Sequence, residues 1–388
     1  MKKRELAALF VCSMAPWMVG SGLIPLLPVY ATELGAGPAV AGAYLAFSYF
    51  GLGVGNFLAG WVSDHLHRRK LPLIIGGVVS VPATWLMGQV TTVWGLTLMT
   101  AVLWFCGGLG LALISILAGL SAGEDERGRI FGILSITGSL GAVLGGLGAG
   151  YITNRWGYTT TFTVEALFLV LWPLSGLLLT EKNTASYGEQ RQSIKRRVGL
   201  GQRFYFLLIA HLLVAVAGFL FALGRSLVMG GRAYTAMAIS STAIVGALVG
   251  MPLPFVLGWL SDRKGRRVFL YFSYFLGITS FVVLATATSL WHFYVAAALR
   301  AIFLGVNGTV SQALATDLVP KAALGRGLSL LAVLGSMGGI FGFAGGGLAL
   351  QHLGLMPTMG IGILLPATAI VLVLLIRSEA RVPAFGDI

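Results

Sequence analysis

The stretch GWVSDHLHRR at residues 60–69 returns as GWLSDRKGRR at residues 258–267. Six of its ten positions are identical, and each recurs 198 residues later. A second set of identical residues, between 128–145 and 325–342, recurs at a spacing of 197. Repetition at a fixed long period indicates a copied structural unit. The sequence therefore predicts two similar halves in parallel orientation.

The composition indicates a protein whose solvent is lipid. Of the 388 residues, 57% are hydrophobic and 10% are charged, whereas soluble domains carry about 25% charged residues. This composition excludes a soluble enzyme, a secreted disulfide scaffold and a disordered chain. Cys12 and Cys106 both lie in apolar runs, so we expect no disulfide framework, no bound metal and no cofactor.

Twelve apolar segments are each long enough to cross a bilayer, which takes about 20 residues as a helix. Only helices and closed barrels can satisfy their backbone groups in lipid, and segments of this length favour helices. The predicted spans cover approximately 6–30, 38–62, 71–90, 95–120, 130–152, 160–180, 203–224, 234–260, 268–289, 292–318, 327–350 and 357–377.

The basic residues predict the orientation of these spans. If the spans alternate in direction, 22 of the 26 Lys and Arg lie on the side of both termini, and Arg155, Arg225 and Arg232 lie opposite. The positive-inside rule then places both termini in the cytoplasm, and we expect a multi-pass protein of the plasma (inner) membrane. The excess of basic residues on the cytoplasmic side accounts for the net charge of +13. We therefore expect no nucleic acid as a partner.

The repeated loop carries a family resemblance. GWLSDRKGRR matches the pattern GxxxDRxGRR that follows the second helix of each half in the major facilitator superfamily, and the chain resembles that superfamily over its whole length. The first copy keeps Gly60, Asp64, Arg68 and Arg69, but it has His65 and His67 where the pattern has Arg and Gly.

The resemblance implies an all-α integral membrane fold of twelve transmembrane helices, arranged as two parallel six-helix repeats. Residues 1–180 would form the first bundle, 181–202 a cytoplasmic linker and 203–388 the second bundle. Such a pair of bundles suits secondary transport by alternating access around a cleft between them. The chain has no GxxxxGK[ST] phosphate loop, so we expect no nucleotide hydrolysis and no enzymatic activity.

The repeated loop is also a candidate cytoplasmic gate. Asp can pair with Arg or accept hydrogen bonds at the membrane boundary, and such contacts can break and reform between conformations. The basic residues could instead serve only to set topology, but the acidic residues do not contribute to that signal. The candidate gate residues are Gly60, Asp64, Arg68, Arg69, Gly258, Asp262, Arg263, Arg266 and Arg267.

Glycines recur in the fifth span and in its copy, the eleventh. The segment GAVLGG at 141–146 resembles the exporter pattern GPxxGG of the family, with Ala142 in place of Pro. Small residues four apart let another helix pack closely, so generic helix packing is an equal interpretation. The packing candidates are Gly141, Gly145, Gly338 and Gly342.

Arg300 lies some eight residues into the tenth predicted span, about 12 Å from its end. A charge at that depth indicates a functional site by default, although a structural bond to helix carbonyls is the alternative. Polar and aromatic residues on the first, second, fourth, eighth and tenth spans could stack on and hydrogen-bond to an amphipathic guest, or could serve as interfacial anchors. These cavity candidates are Trp17, Tyr44, Tyr49, Asn56, Trp104, Tyr234, Asn307 and Gln312.

Two residues are candidates for coupling transport to protons. Glu165 is a carboxylate inside the sixth span, which the family resemblance places at the periphery, so structural pairing is also open. His211 in the seventh span could titrate near neutrality or simply pack.

We therefore predict a monomeric secondary transporter that moves amphipathic small molecules by alternating access, as proton-coupled, multidrug-type efflux, in contact with membrane lipids. An uptake carrier or facilitator for an organic anion that binds Arg300 is the first alternative. A membrane receptor or scaffold of transporter fold would bind without flux.

Overall fold

The computed structural model describes residues 3–65, 68–121, 126–180, 200–253, 256, 260–261, 263, 265–320 and 323–376. Most of the predicted linker, residues 181–199, lies outside this part of the chain, as do Gly258 and Asp262. The side chain of Asp64 is also outside it. Within the described residues the fold is helical, without strands.

Seven helices form the first half of the described chain: α1 Lys3–Leu23, α2 Leu27–Glu33, α3 Pro38–His65, α4 Lys70–Met87, α5 Val93–Ser121, α6 Arg127–Leu169 and α7 Leu171–Leu177. The helices of the second half whose bounds the structure describes are α8 Gln202–Gly231, α9 Ala236–Gly250, α10 Arg266–Ala285, α11 Leu290–Leu318, α12 Leu324–Leu353 and α13 Leu355–Leu375. Residues 253, 256, 260–261 and 263, between α9 and α10, are also helical.

The helices account for the twelve predicted spans. Ten described helices are long and apolar enough to cross a membrane, and Ala236–Gly250 is a shorter apolar helix. The longest, α6, turns back at Gly157, where φ is 79° and ψ is 177°. The hydroxyls of Thr153 and Thr161 lie 2.8 Å apart, whereas eight residues of straight helix would separate them by about 12 Å. The fifth and sixth spans are therefore the two limbs of α6, with α7 completing the sixth.

The duplication extends to the backbone of this turn. Gly354, 197 residues after Gly157, has φ of 80° and ψ of −175° between α12 and α13. Thr161 donates a hydrogen bond to the carbonyl of Gly157 at 3.0 Å, and Thr358 donates one to the carbonyl of Gly354 at 2.6 Å. A positive φ is readily available only to glycine, which explains why both copies have glycine here.

Packing within the halves repeats in the same way. The backbone of Gly145 in α6 lies directly against the carbonyl oxygen of Met18 in α1, with no room for a Cβ. In the second half, a Cβ at Gly342 of α12 would lie 2.6 Å from the carbonyl oxygen of Val216 in α8. Both glycines allow a close helix approach, and the two pairs are related by spacings of 197 and 198.

The two halves meet mainly through α3 with α12 and α6 with α9. Some of these contacts lie at the end of the bundle where α2 leads into α3. We call this the distal end. There a Cβ at Gly347 would lie 2.9 Å from the Cα of Gly42, and the amide of Ala39 donates to Oε1 of Gln351 at 3.0 Å. The opposite end, where α1 begins and α13 ends, is the proximal end.

One predicted boundary is wrong in a way that affects the site. The seventh span was expected to end at residue 224, with Arg225 in the following loop, but α8 continues to Gly231. Arg225 is therefore inside the helix, and it is 4% exposed. Arg225 lines a cavity within the protein.

Candidate substrate cavity

A cavity opens among helices of the first half. Its volume is about 340 Å³, and aromatic and small residues of α1, α3 and α5 line it. Pro16 and Trp17 come from α1, Tyr49 and Asn56 from α3, and Trp104 from α5. Aromatic faces with a few polar groups are typical of sites for small organic molecules. We call this space the aromatic lobe.

A second space of about 350 Å³ lies among α1, α8, α9 and α11. Its lining includes Arg225 of α8 and Arg300 of α11, together with small residues of α9 and α11. Ser21, Ile24 and Tyr49 line both spaces, so the two adjoin each other, and the second lies at the interface of the halves. We call the second space the arginine lobe.

Tyr49 lies at the junction of the two lobes. Its ring centroid is 5.1 Å from that of Trp104 in the first half and 4.6 Å from that of Phe219 in the second half. The ring also packs against Gly339, where an added Cβ would overlap it. Tyr49 therefore contacts both halves at the point where the lobes meet.

Arg300 is held between α11 and α8. It is ten residues into α11, about 15 Å along the helix. Its Nε donates to the carbonyl oxygen of Gly218 at 3.0 Å, and its guanidinium carbon lies 5.7 Å from the ring centroid of Phe221. A carbonyl dipole and an aromatic face both stabilise a buried cation, so the position of this guanidinium is fixed.

Sequence reasoning missed Arg225 as a lining residue. Its Nε has no hydrogen-bond partner among the described residues. The sequence places Arg225 four residues after Phe221, and residues four apart lie on the same face of a helix. This spacing was not used because the predicted span ended at residue 224, which placed Arg225 outside the helix.

The structure places four other cavity candidates away from both lobes. Tyr44 is buried, and its hydroxyl lies 3.1 Å from that of Thr100 in α5. Tyr234 lies near the distal end, with its ring 5.5 Å from that of Phe293. Gln312 is exposed. Residue type alone does not reveal where such side chains point.

The fourth, Asn307, belongs to a polar network inside the second half. Its Oδ1 accepts hydrogen bonds from the hydroxyls of Tyr274 at 3.2 Å and Ser311 at 3.0 Å. Its amide nitrogen lies 3.1 Å from Nδ1 of His211. The two residues predicted for different roles are therefore neighbours, and the network joins α8, α10 and α11.

Glu165 lies in the second limb of α6 and is 3% exposed. Its side chain therefore faces the protein interior and not lipid. Oε2 has no hydrogen-bond partner in the described part of the chain. Phe162 of α6 packs against Gly88 at the end of α4, and Pro173 of α7 packs against Gly77 of α4, so Glu165 lies on a segment that packs along the C-terminal part of α4.

The candidate gate residues that the structure describes lie at the proximal end. The carbonyl of Ser63 is 3.4 Å from Nη2 of Arg69, and the hydroxyl of Ser63 accepts from Nε of Arg69 at 2.8 Å. Arg266, at the start of α10, pairs with Asp317 of α11 at 2.7 Å and also donates to the carbonyl of Ala313. Asp317 was not among the predicted residues.

The remaining gate candidates vary in their surroundings. A Cβ at Gly60 would meet nothing within 4 Å. Arg68 and Arg263 are exposed, and Arg267 is half-buried. Asp64, Gly258 and Asp262 fall outside the described side chains.

Of the packing candidates, Gly141 approaches Trp17 and Met18 of α1, and Gly338 approaches Ala215 of α8. Together with Gly145 and Gly342 they form the two repeated contacts described above. The fifth span therefore packs on the first, and the eleventh on the seventh.

The family model of the Major Facilitator Superfamily matches residues 7–289 and 254–387. The chain belongs to the major facilitator superfamily. Its overlapping matches correspond to nearly the whole sequence, and this membership identifies the protein as a multi-pass membrane transporter of small molecules.

Superfamily members that resemble this chain include resistance proteins. The tetracycline resistance protein, class G, of Vibrio anguillarum is 29% identical over 84% of this chain and 86% of that protein. The multi-drug resistance efflux pump PmrA of Streptococcus pneumoniae is 21% identical, with 82% of each chain covered. A match to the multidrug resistance protein MdtG of Klebsiella pneumoniae, at 25% identity, spans only 43% of that protein.

A solved structure has the same fold. The crystal structure of the nucleoside transporter NupG has a TM-score of 0.77 and 15% sequence identity, and the match covers 97% of this chain and 98% of that chain. At this identity the likeness concerns the fold alone.

Proposed function

We propose that this protein is a secondary active transporter that exports amphipathic small molecules by alternating access, driven by protons. The observation that carries the proposal is the pair of adjoining lobes, whose lining comes from α1, α3, α5, α8, α9 and α11 of the two halves. The names of the tetracycline resistance protein and of the efflux pump PmrA support export of foreign compounds.

In this proposal the two bundles, residues 1–180 and 203–388 joined by 181–202, rock against each other. The charge asymmetry favours cytoplasmic termini in the inner membrane, which makes the distal end the outer end. Close backbone packing of Gly42 with Gly347 supports a closed outer end in the conformation described. Opening would separate α3 from α12 and bring the proximal ends together.

The proximal charged residues would act as the cytoplasmic gate. Arg266 already pairs with Asp317 within the second half, and it can exchange partners when the proximal ends approach. We propose Asp64 and Asp262 of the repeated motif as acidic partners in this exchange. Exchange of ion pairs between states gives each state its own stabilising contacts.

Proton coupling would use Glu165. Its carboxyl is buried, and Oε2 lacks a partner in the described residues, so a charge there is unfavourable and protonation relieves it. The network of His211 with Asn307 is the second candidate. Glu165 is preferred because Nδ1 of His211 already contacts the amide of Asn307, whereas Oε2 of Glu165 has no partner in the described residues.

The test is flux in proteoliposomes loaded with a fluorescent amphipathic dye, with the pH gradient imposed in either direction. The proposal expects gradient-driven dye movement together with proton flux. Dye movement at the same rate with and without the pH gradient would contradict proton coupling. Binding without movement of any solute would instead favour a receptor or scaffold.

A second candidate function is an uptake carrier or facilitator for an organic anion. The observation in its favour is that Arg300 lines the cavity. Exchange of small carboxylates, lost in Arg300→Ala and kept in Arg300→Lys, while dye and protons stay still would establish it.

A further inference from the structure

The arginine lobe brings two guanidinium groups together from different helices. Arg225 of α8 and Arg300 of α11 both line it. Arg300 rests on Gly218 and Phe221 of α8. Arg225 is four residues beyond Phe221 and seven beyond Gly218, so all three lie on one face of α8. The two arginines are therefore neighbours along the wall of one lobe.

The charge of this pair is not balanced by the described acidic residues. Arg225 is 4% exposed, and its Nε lacks a partner among the described residues. The acidic residues whose side chains the structure describes, Glu5, Glu33, Glu126, Glu165 and Asp317, line neither lobe. Two buried cations without a counter-ion are unfavourable, and an anionic ligand would relieve that cost.

We propose that Arg225 and Arg300 form an anion subsite that binds the carboxylate, sulfonate or phosphate group of an amphipathic substrate. The proposal rests on the proposed function, because it names the substrate class of the same cavity. The planar, forked guanidinium matches such oxyanions with paired hydrogen bonds. The apolar part of the substrate would lie in the aromatic lobe against Trp17 and Trp104, past the shared residue Tyr49.

A purely structural role accounts for Arg300 but not for Arg225. Arg300 bonds a helix carbonyl and lies over a ring, as a structural arginine would. Arg225 Nε has neither kind of contact among the described residues. The subsite therefore predicts discrimination by charge: anionic amphiphiles bind well, and neutral molecules of equal shape bind poorly.

The test uses dansylglycine and its neutral carboxamide, which differ only in the anionic group. Binding is followed by energy transfer from tryptophan to dansyl, since Trp17 and Trp104 line the aromatic lobe. The purified full chain is held in nanodiscs of phosphatidylcholine, so that anionic lipid headgroups do not compete. Adding phosphatidylglycerol in a separate arm shows whether a lipid headgroup occupies the same subsite.

Three variants are compared with the native protein. Arg225→Gln and Arg300→Gln each remove one guanidinium from the lobe. Arg232→Gln is the matched control, because Arg232 lies outside both lobes, donates to the carbonyl of Ala287 at 2.5 Å and packs over Phe293. The ratio of acid to amide affinity within one preparation does not depend on how much of that preparation is folded.

The native protein and Arg232→Gln are expected to bind the acid at least about tenfold more tightly than the amide, as one charged hydrogen-bonding group commonly provides. Arg225→Gln and Arg300→Gln are expected to bring the ratio close to one, and Arg225→Lys to restore part of it. An equal affinity of acid and amide in the native protein would overturn the subsite. So would a ratio that survives in Arg225→Gln.

These outcomes are separable from failure of the proposed function. Charge discrimination without flux in proteoliposomes would contradict the proposed transport function and support the subsite. Gradient-driven flux of dyes without charge discrimination would contradict the subsite and support transport.

Discussion

Gly42 of α3 and Gly347 of α12 lie backbone to backbone across the two halves, so that a Cβ at Gly347 would come within 2.9 Å of the Gly42 Cα. Two α-helices approach this closely only where both lack side chains. This contact joins the halves at the distal end. It is therefore a part of the structure that must separate if the cavity opens there.

The first prediction concerns this contact. Gly347→Val should prevent closure of the distal end, because the added atoms would overlap the backbone of α3. We expect the transport rate in proteoliposomes to fall at least about tenfold. Gly345→Val is the control, since a Cβ at Gly345 would meet nothing within 4 Å, and it should keep near-native flux. Equal flux in both variants would contradict the role of this contact.

The second prediction concerns packing inside the first half. Gly145→Ala forces a methyl group onto the carbonyl of Met18, and such overpacking costs about 1–3 kcal/mol. We expect a lower thermal unfolding temperature for the detergent-purified protein. Gly148→Ala, three residues away with open space at its Cβ, should change it little. A Gly145→Ala protein as stable as native would show that α1 and α6 separate easily.

The third prediction concerns Arg266 and Asp317. Their side chains are 22% and 43% exposed, and ion pairs this accessible contribute about 0–1 kcal/mol. Asp317→Asn should therefore leave thermal stability nearly unchanged while altering the rate of flux, if the pair belongs to the gate. The exchanged pair Arg266→Asp with Asp317→Arg should recover flux in part. A large loss of stability with normal flux would assign the pair a structural role.

The fourth prediction concerns Glu165. Glu165→Gln removes the ionisable carboxyl group while keeping the size of the side chain, so the coupling of dye transport to protons should be lost. We expect no pH-gradient-driven accumulation of dye but continued exchange of dye across the membrane. Glu126→Gln, at an exposed position at the proximal end, should keep both activities. Accumulation by Glu165→Gln at the native rate would direct the search to His211.

The length of the apolar segments and their repetition were sufficient to predict the helical architecture. The spacings of 197 and 198 follow from identical letters, and the structure shows matching geometry at Gly157 and Gly354. Repeated small residues in apolar segments indicate close helix contacts, because few other roles suit glycine in a long helix.

The lining of the cavity was harder to predict. Tyr44 and Tyr49 lie on the same helix, yet only Tyr49 reaches the lobes, because five residues rotate the helix by about 140° beyond a full turn. Arg225 was assigned to a loop because hydropathy ends a span at a charge, whereas helix α8 continues past that charge along an internal cavity. Asp317 was missed since its partner Arg266 is distant in sequence.

The most direct test of alternating access is a pair of distance measurements between spin labels. The distal end carries the pair Trp156→Cys with Leu353→Cys. The proximal end carries the pair Arg129→Cys with Arg326→Cys. The two positions of each pair are 197 residues apart, and all four positions are exposed. The native Cys12 and Cys106 are buried, and both are replaced by Ser. Under a pH gradient with transported dye present, we predict that the distal distance lengthens while the proximal distance shortens. If both distances stay unchanged while flux proceeds, rocking of the two halves is contradicted.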